Sequence, residues 1–355
     1  MTTIDSILDL ARWAPSGDNV QSWQFEVAGP DHVVVHGHDT RHDTVYDLDG
    51  HPSQMSFGAL LETMAIAASA HGLRADITRR PLPPTEDARP VFDVRFVPDP
   101  SVQPSPLLAA IRVRSVQRRP MKATPLSAAQ KQALADAVGP GYRLRWLESF
   151  EERLAAARLM YDNARLRLTM PEAYEVHRRI IDWGKTHSDD KVPDQALGVD
   201  NATLKLMKWA MVSWQRLSKM NALMGTWAPR LQMDLVPGLA CSAHVSIEAA
   251  QEPQTIDDYV AAGRAVQRFW LTLTAQGYFL QPEMTPLIFT RYASNNTAFT
   301  AVGKLREDAR ALQQRTQALF FKGTGFPVFI ARVGAGPAPA ARSLRKPVSQ
   351  LMYRP

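Results

Sequence analysis

A chain of 355 residues is long enough to bury a large hydrophobic core, and its length alone suggests about two domains. Its 45% hydrophobic and 21% charged residues are typical of a globular protein and argue against disorder. The single cysteine excludes an intrachain disulfide and a multi-cysteine metal site. The net charge of +6 lies in short clusters, which favour a phosphate-bearing small ligand over a nucleic acid.

The first predicted element is a short helix, whose apolar face consists of Ile4, Ile7, Leu8 and Ala11. The helix stops at a proline, and a polar turn at residues 14–23 leads into an alternating, strand-like pattern. The turn contains Pro15, Ser16, Asn19 and Gln21. It presents backbone N–H groups, a hydroxyl, amides and an indole, which suit a planar ligand with polar edges such as a flavin. An ordinary helix-to-strand loop with an Asx turn would use the same residue types.

Two later segments resemble each other. Gly58 and Gly72 stand at the same spacing as Gly263 and Gly277, and each pair brackets a pattern typical of a buried helix that ends at a left-handed glycine. Each is followed by a strand pattern with the same Pro-Val-Phe opening, at residues 90–96 and 327–333. Self-similarity over so long a period favours two related halves over a solenoid, although a chance likeness of two buried helices is the alternative. A proline-rich linker is predicted at 98–106.

Basic residues recur at two further points. Arg114 and Arg118 are four residues apart, so they share one face if the segment is helical. A solvated basic turn before Pro120 is the alternative interpretation. Near the end of the chain, Arg342 and Arg345 belong to a second basic cluster.

The pattern at about 150–235 is helical and contains four tryptophans, Trp183, Trp209, Trp214 and Trp227. Aromatic residues at this spacing are usually core or packing surface. We also consider the hypothesis that the segment is a lid over a substrate pocket. No metal-binding spacing, G-x-G-x-x-G or Walker A pattern occurs in the sequence, so neither a metal site nor a Rossmann fold is expected.

The turn at 14–23 resembles the A-P-S-x-x-N-x-Q-P-W signature of the nitroreductase family of FMN proteins, with Ser22 in place of the usual proline. Residues 114–118 resemble its R-x-S-x-R element, although Ser115 stands one place early. Residues 343–347 resemble its closing S-x-R-x-P element. The resemblance implies that ten residues bind FMN: Pro15, Ser16, Asn19, Gln21, Arg114, Ser115, Arg118, Pro282, Glu283 and Arg345.

Within that set, the resemblance implies that Arg114 and Arg345 meet the FMN phosphate, and that Arg118 lies near the N1/O2 edge of the ring. The turn at Pro282 and Glu283 would offer backbone N–H groups to flavin N5 and O4. A donor there would tune the position that takes up the hydride. No catalytic side chain is implied.

Ordinary members of that family are about half as long and form homodimers with FMN at the subunit interface, whereas a fused, Acg-type branch carries two units in one chain. The motifs of this sequence divide in the same way, because the turn at 14–23 lies in the first half and the arginines lie in the second. We therefore predict an α+β, nitroreductase-like fold of two fused, related halves, each with a sheet flanked by helices. The predicted bounds are 1–100 and 101–355, with a helical lid insertion at about 150–235 and one FMN site per chain.

The predicted function is an FMN-dependent oxidoreductase that moves hydride or electrons through flavin N5. Its small-molecule substrate would be a nitro compound, a quinone or a biosynthetic intermediate, with NAD(P)H as a candidate donor. The alternatives are a non-catalytic protein that sequesters flavin under a lid blocking NAD(P)H, and a helical partner-binding protein without a cofactor. No secretory signal or membrane-spanning run is evident. We therefore expect a cytoplasmic monomeric pseudo-dimer, or a homodimer of it, without nucleic-acid or membrane partners.

Overall fold

The computed structural model describes residues 2–83 and 86–354, which form a mixed helix and sheet protein. Two four-stranded antiparallel sheets contain most of the strands in these residues, and a long helix packs on each sheet. None of the helices in these residues combines the length and apolarity that a bilayer crossing requires.

The first sheet is built from the first hundred residues. The elements in chain order are α1 (Thr3–Ala11), β1 (Trp23–Gly29), β2 (His32–Gly37), α2 (His51–Ser69), β3 (Leu73–Arg79) and β4 (Val91–Pro98). The strand order is β1-β2-β4-β3. Helix α1 begins at a capping box in which Thr2 and Asp5 satisfy each other's backbone N–H groups. Its predicted apolar face is buried, which confirms the spacing argument.

The rest of the chain contributes many more helices. The helices and strands from residue 107 to residue 242 are α3 (Ala110–Val113), α4 (Ala128–Val138), β5 (Tyr142–Leu147), α5 (Phe150–Thr169), α6 (Pro171–Ile180), β6 (Ile181–Asp182), β7 (His187–Ser188), β8 (Val192–Pro193), α7 (Asn201–Ala210), α8 (Trp214–Met224), α9 (Trp227–Arg230) and α10 (Val236–Leu239). The remainder are β9 (Ala243–Ala249), α11 (Ile256–Ala275), β10 (Tyr278–Pro282), α12 (Thr285–Ser294), α13 (Gly303–Phe320), β11 (Phe326–Ala335) and β12 (Arg342–Ser343).

The second sheet has the order β5-β9-β11-β10 and is also antiparallel throughout. Both sheets therefore follow the same route: a helix, two paired strands, a long helix, an edge strand and a strand inserted beside it. The long helices are α2 and α11, the two segments that the sequence singles out as similar. Gly72 and Gly277 follow them with φ of +66° and +80°, as predicted for left-handed glycine caps.

Helices α2 and α11 pack against each other at the two other repeated glycines. A Cβ built on Gly58 would lie 2.0 Å from the carbonyl oxygen of Val260, and one on Gly263 would lie 2.0 Å from that of Met55. Only hydrogen fits at either position, so the two backbones are in direct contact. The crossing joins the helix that packs on the first sheet to the helix that packs on the second.

Two connecting segments cross between the sheets. After β4, Val116 forms a parallel bridge to Leu280 at the edge of the second sheet. At the end of the chain, Met352 bridges Phe25 of β1, and Leu351 is buried in the first core. The predicted division at residue 100 places this C-terminal tail in the second half, but the tail packs on the first sheet. The stretch predicted as a linker, 98–106, is attached to the first half, where the Ser105 N–H donates to Ser69 Oγ at 2.9 Å.

Residues 150–235 are mostly helical, as predicted, with an extended stretch around β6–β8. Helix α5 packs with α12 and α13 in a hydrophobic core of its own, which includes Met160 and Phe289. The tryptophans do not follow the expectation of a packed core: Trp209 is 53% exposed and Trp227 is 58% exposed. Helical spacing predicts which residues share a face but not whether anything covers that face.

Candidate functional site

The turn at 14–23 has a strained backbone. Asp18, Asn19 and Gln21 have φ of 51°, 63° and 54°, and they are three of the four non-glycine residues with positive φ in the described part of the chain. Such conformations cost free energy and persist only where surrounding contacts enforce them, and they concentrate at functional sites. The strain therefore marks this turn as a candidate site independently of any sequence motif.

Gln21 is the residue that holds the turn in place. Its N–H donates to Ser16 Oγ at 3.0 Å, and its side-chain Nε2 donates to the carbonyls of Asn19 at 3.0 Å and Asp189 at 2.8 Å. Its Oε1 accepts from the N–H of Lys346 at 2.9 Å. Both N–H bonds of the carboxamide are thus used within the protein, so Gln21 positions the turn and has no donor left for a ligand.

Two buried arginines meet at the start of the same turn. Arg114 is 4% exposed and donates from NH2 to the carbonyl of Trp13 at 2.9 Å, while its guanidinium lies 4.5 Å from the ring centroid of Trp270. Arg345 is 8% exposed and donates from Nε to the carbonyl of Ala14 at 2.9 Å. Residues far apart in the sequence are thereby brought to the two carbonyls immediately before Pro15.

The arginine cluster has no carboxylate partner. Arg342 adds a third guanidinium, and none of Arg114, Arg342 and Arg345 forms a salt bridge in residues 2–83 and 86–354. Burial, followed by the charges of Arg345 and Arg342, lowers the pKa of Arg114 well below its usual range. Burial and the charges of Arg342 and Arg12 lower the pKa of Arg345 to about 9. Buried cations without counter-ions are costly, so this cluster calls for an anion.

Ser115 is buried beside Arg114, as expected of a site residue, but its hydroxyl makes no hydrogen bond with any described residue.

Arg118 lies at the other end of this segment. Its NH1 donates to the carbonyl of Ala196 at 3.3 Å, and burial lowers its pKa to about 10 although the carboxylate of Asp18 opposes the shift. Burial in turn raises the pKa of Asp18, against the effect of Arg118. Sequence reasoning missed Asp18 as the charge that faces Arg118, because it stands at a variable position of the motif.

The turn after β10 differs from the expectation in one respect. The Glu283 N–H donates to the carbonyl of Ile330 at 2.8 Å, and Pro282 has no N–H, so neither can offer a backbone donor to a ligand. Of the three residues at this turn, only Met284 retains an N–H without an acceptor in the described chain. The expectation that Pro282 and Glu283 supply backbone donors is therefore wrong in detail.

The Glu283 side chain belongs to a buried charge network that the sequence did not reveal. Its carboxylate lies 2.7 Å from His244 Nδ1 and accepts from Arg332 NH1 at 3.0 Å. The other ring nitrogen of His244, Nε2, lies 2.9 Å from the carbonyl of Gly238, so both nitrogens face acceptors, as an imidazolium requires. Arg332 NH2 also donates to the carbonyl of Arg118 at 2.9 Å, which ties the network to the candidate site.

The network predicts a pH dependence of stability. Burial disfavours the charged imidazolium, but the Glu283 carboxylate and Cys241 together outweigh it and raise the pKa of His244 to about 10. A folded-state pKa above the unfolded value contributes stability that is present below about pH 6.5 and lost as pH rises through 10. The unfolding free energy of wild type should therefore exceed that of His244→Gln most near pH 6.5, and the gap should narrow toward pH 10.

Urea titrations across this pH range measure the gap, and His71→Gln, which removes an exposed imidazole, is the matched control. A gap that stays constant from pH 6.5 to 10 would show that His244 is not charged in the folded protein.

The segment at 187–196, which contains β7, β8 and a 3₁₀ turn at Asp194–Ala196, lies against the candidate site. The carbonyl of Lys191 accepts from Asn19 Nδ2 at 3.2 Å and from Ser343 Oγ at 2.8 Å. Strand β7 pairs in parallel with β12, immediately before Arg345. The segment is thus hydrogen-bonded both to the turn at 14–23 and to the basic tail.

A cavity of about 500 Å³ opens elsewhere, between the loop at 41–48, helix α6, the loop at 298–301 and the start of helix α13. None of the ten predicted site residues lines it. In the parts of the chain that the structure describes, no group of three or more His, Cys, Asp or Glu side chains is arranged to hold a metal ion.

Comparisons with known proteins give limited matches. No family model matches the chain, and neither does any curated protein sequence. Among solved structures, a nitroreductase-like family protein from Bacillus cereus matches with 11% identity and a TM-score of 0.36, over 70% of this chain and 96% of that one. A nitroreductase with bound FMN from Desulfitobacterium hafniense DCB-2 matches with 14% identity and a TM-score of 0.34, over 68% and 94% of the two chains. Values this low do not assign the chain to a family.

Proposed function

We propose that this protein binds FMN and acts as a flavin-dependent oxidoreductase. The observation that carries the proposal is the pair of buried arginines Arg114 and Arg345 beside the strained turn, with the half-buried Arg342 next to them and no carboxylate partner among the described residues. Guanidinium groups recognise phosphate through paired, charge-assisted hydrogen bonds, and a phosphate would offset the cost of burying these charges.

The polar atoms left without partners fit a phosphorylated ligand with a polar ring edge. Arg114 Nε and Arg342 Nε are buried donors with no acceptor in the described residues, as a phosphate site requires. Asn19 Oδ1 is a buried acceptor without a donor, and Met284 keeps a free backbone N–H. Donors and an acceptor of this kind suit the phosphate and the heteroatom edge of a flavin.

The site draws on both parts of the chain, which favours two related halves that form a pseudo-dimer. The turn with Ser16 and Asn19 comes from the part that builds the first sheet, and Arg114 and Arg345 come from the two segments that cross between the sheets. The shared strand order and the reciprocal glycine contact of α2 and α11 support the same interpretation. A site divided in this way is what the resemblance to the fused nitroreductase branch implies.

Bound FMN would supply two-electron chemistry at its N5 position, with a nitro compound, a quinone or a biosynthetic intermediate as the candidate substrate. The protein's own residues would bind and orient the cofactor. Arg114 and Arg345 would hold the phosphate, and Asn19 would direct its own carboxamide oxygen toward the ligand. Arg118 would place a positive charge beside the ring, where it favours an anionic form of the bound group.

A second candidate function is supported by the segment at 187–196. Its hydrogen bonds to Asn19, Gln21 and Ser343 close it over the proposed cofactor site. If the segment stays closed, it would exclude NAD(P)H, and the protein would hold or sequester flavin without turning over. The two functions share one site and differ only in access to it.

Absorbance spectroscopy of the purified full-length protein is the test. We expect yellow protein with oxidised flavin bands, or a colourless protein that becomes yellow and more resistant to heat when FMN is added. Anaerobic titration with NADH and NADPH should then bleach the bound flavin. Persistent oxidised absorbance would favour the sequestering function, and a colourless protein that ignores FMN would overturn both.

A further inference from the structure

Helices α7, α8 and α9 carry large apolar side chains that the described residues leave exposed. Helix α8 contains Trp214, Leu217 and Met220 among other large apolar residues, yet none of its eleven residues is buried. Leu223 on this helix is 86% exposed. The exposed large hydrophobic residues of the three helices and their connections are Leu206, Trp209, Val212, Leu223, Met224 and Trp227, and we call this surface the α7–α9 face. Large apolar side chains that are exposed within one short stretch of the chain are typical of an interaction site.

The charged residues within the α7–α9 segment have one sign, since residues 201–233 contain no aspartate or glutamate. Its basic residues Lys205, Lys208, Arg216 and Lys219 form no salt bridge with any described residue, whereas Arg230 is ion-paired with Asp162 at 3.2 Å. The acidic residues that flank this stretch are engaged within the protein. Asp200 caps α7 and accepts from Gln232, and Asp234 is ion-paired with Arg167 at 2.9 Å.

The cations border the apolar residues directly. Lys205 precedes Trp209 by four residues and Lys219 precedes Leu223 by four, so each pair is adjacent on its helix. The guanidinium of Arg216 lies 4.8 Å from the ring centroid of Trp209 and donates to the carbonyl of the same residue. An exposed indole between cations is the arrangement found in helices that lie in the headgroup region of a membrane.

We propose that the α7–α9 face docks this protein onto the surface of a bilayer that contains anionic phospholipid. The cations would meet the lipid phosphates while the tryptophans and Leu223 enter the boundary with the acyl chains. A second copy of the chain fits less well, because a two-fold contact through this face would bring like charges together. The proposal differs from the sequence-based expectation that the protein has no membrane partner. The proposal does not depend on the flavin site.

Vesicle flotation of the full-length protein tests the proposal. We expect wild type to float with vesicles of equal parts phosphatidylcholine and phosphatidylglycerol, to float far less with phosphatidylcholine alone, and to be released by high salt. Lys205→Glu with Lys208→Glu should weaken binding to the anionic vesicles at least roughly tenfold. Leu223→Ser with Trp227→Ser should also weaken it, because it removes the inserted residues.

The matched controls alter exposed residues elsewhere. Lys304→Glu with Lys322→Glu makes the same change of charge at the two ends of α13, and Phe150→Ser removes an exposed apolar residue of α5. Both controls should float like wild type. The proposal is overturned if wild type does not bind anionic vesicles, or if the control pair loses binding as much as the lysine pair of α7. A third result would also overturn it: size-exclusion chromatography shows that wild type is a dimer, the α7–α9 variants are monomers, and these variants still bind anionic vesicles like wild type.

Discussion

Replacement of Arg114 and Arg345 together by alanine is expected to weaken FMN binding by a hundredfold or more. Each guanidinium is buried and directed to the carbonyls that precede Pro15, and neither has a carboxylate in the described residues to compete with a phosphate. Charge-assisted hydrogen bonds contribute about 1.5–3 kcal/mol each, so two arginines correspond to about 3–6 kcal/mol of binding free energy. Equilibrium titration with FMN, followed by flavin fluorescence, measures the dissociation constant.

The protein without FMN should respond in the opposite direction. Burial lowers the pKa of both arginines, which means that the folded protein bears a cost for keeping them charged at neutral pH. The double variant without cofactor should therefore be at least as stable as wild type, while its stabilisation by added FMN should be lost. Arg112→Ala with Arg119→Ala removes two exposed arginines of the same segment and is the matched control. Undiminished FMN binding by the Arg114 and Arg345 variant would refute the phosphate assignment.

Local patterns in the sequence were sufficient for much of the fold. The apolar spacing of α1, the left-handed glycines after α2 and α11, and the strands that begin near Pro90 and Pro327 all follow from short-range rules. The equal spacing of Gly58 and Gly263 from those caps also indicated that the two helices are equivalent. Short-range rules succeed here because a helix face, a cap or a strand is specified by residues within a few turns of one another.

Contacts between distant residues were predictable only in part. The motifs indicated that Arg114 and Arg345 belong with the turn at 14–23, and the structure places both beside it. The network of His244, Glu283 and Arg332 was missed, because it depends on the register that sets His244 opposite Arg332 in the second sheet. The Glu283 N–H is already engaged because it extends a different pairing in the same sheet, that of β10 with β11.

The exposed tryptophans show another limit of sequence patterns. Trp209 and Trp227 were expected to belong to a core or a lid, since large aromatic residues at helical spacing are normally buried. Periodicity identifies a face, but the neighbour that covers it must come from elsewhere in the chain or from outside it. For α8 the described chain leaves every residue at least partly exposed, and that observation led to the proposed membrane surface.

Gly263→Ala is expected to destabilise the whole protein by about 3 kcal/mol or more, even though alanine is the better helix former by about 1 kcal/mol. The new methyl group would lie 2.0 Å from the carbonyl oxygen of Met55 and 2.7 Å from its carbonyl carbon, and a backbone cannot move aside as a side chain does. Relief requires α2 and α11 to separate, which would break the hydrogen bond from Gln267 Nε2 to Thr63 Oγ1 and the ion pair of Arg264 with Glu62.

Cofactor binding should weaken in the same variant, because the crossing also supports the proposed phosphate site. Ile111, just before Arg114, packs in one cluster with Ile66 of α2 and Leu271 of α11, so separating the two helices would displace the arginine. Gly336→Ala is the control, since a Cβ there has no atom within 4 Å and the residue has no positive φ. Urea unfolding and FMN titration measure the two effects, and insoluble Gly263→Ala beside soluble Gly336→Ala would count as the expected loss. Wild-type stability in Gly263→Ala would show that the helices do not meet at this glycine, and the proposed junction between the two halves would then be wrong.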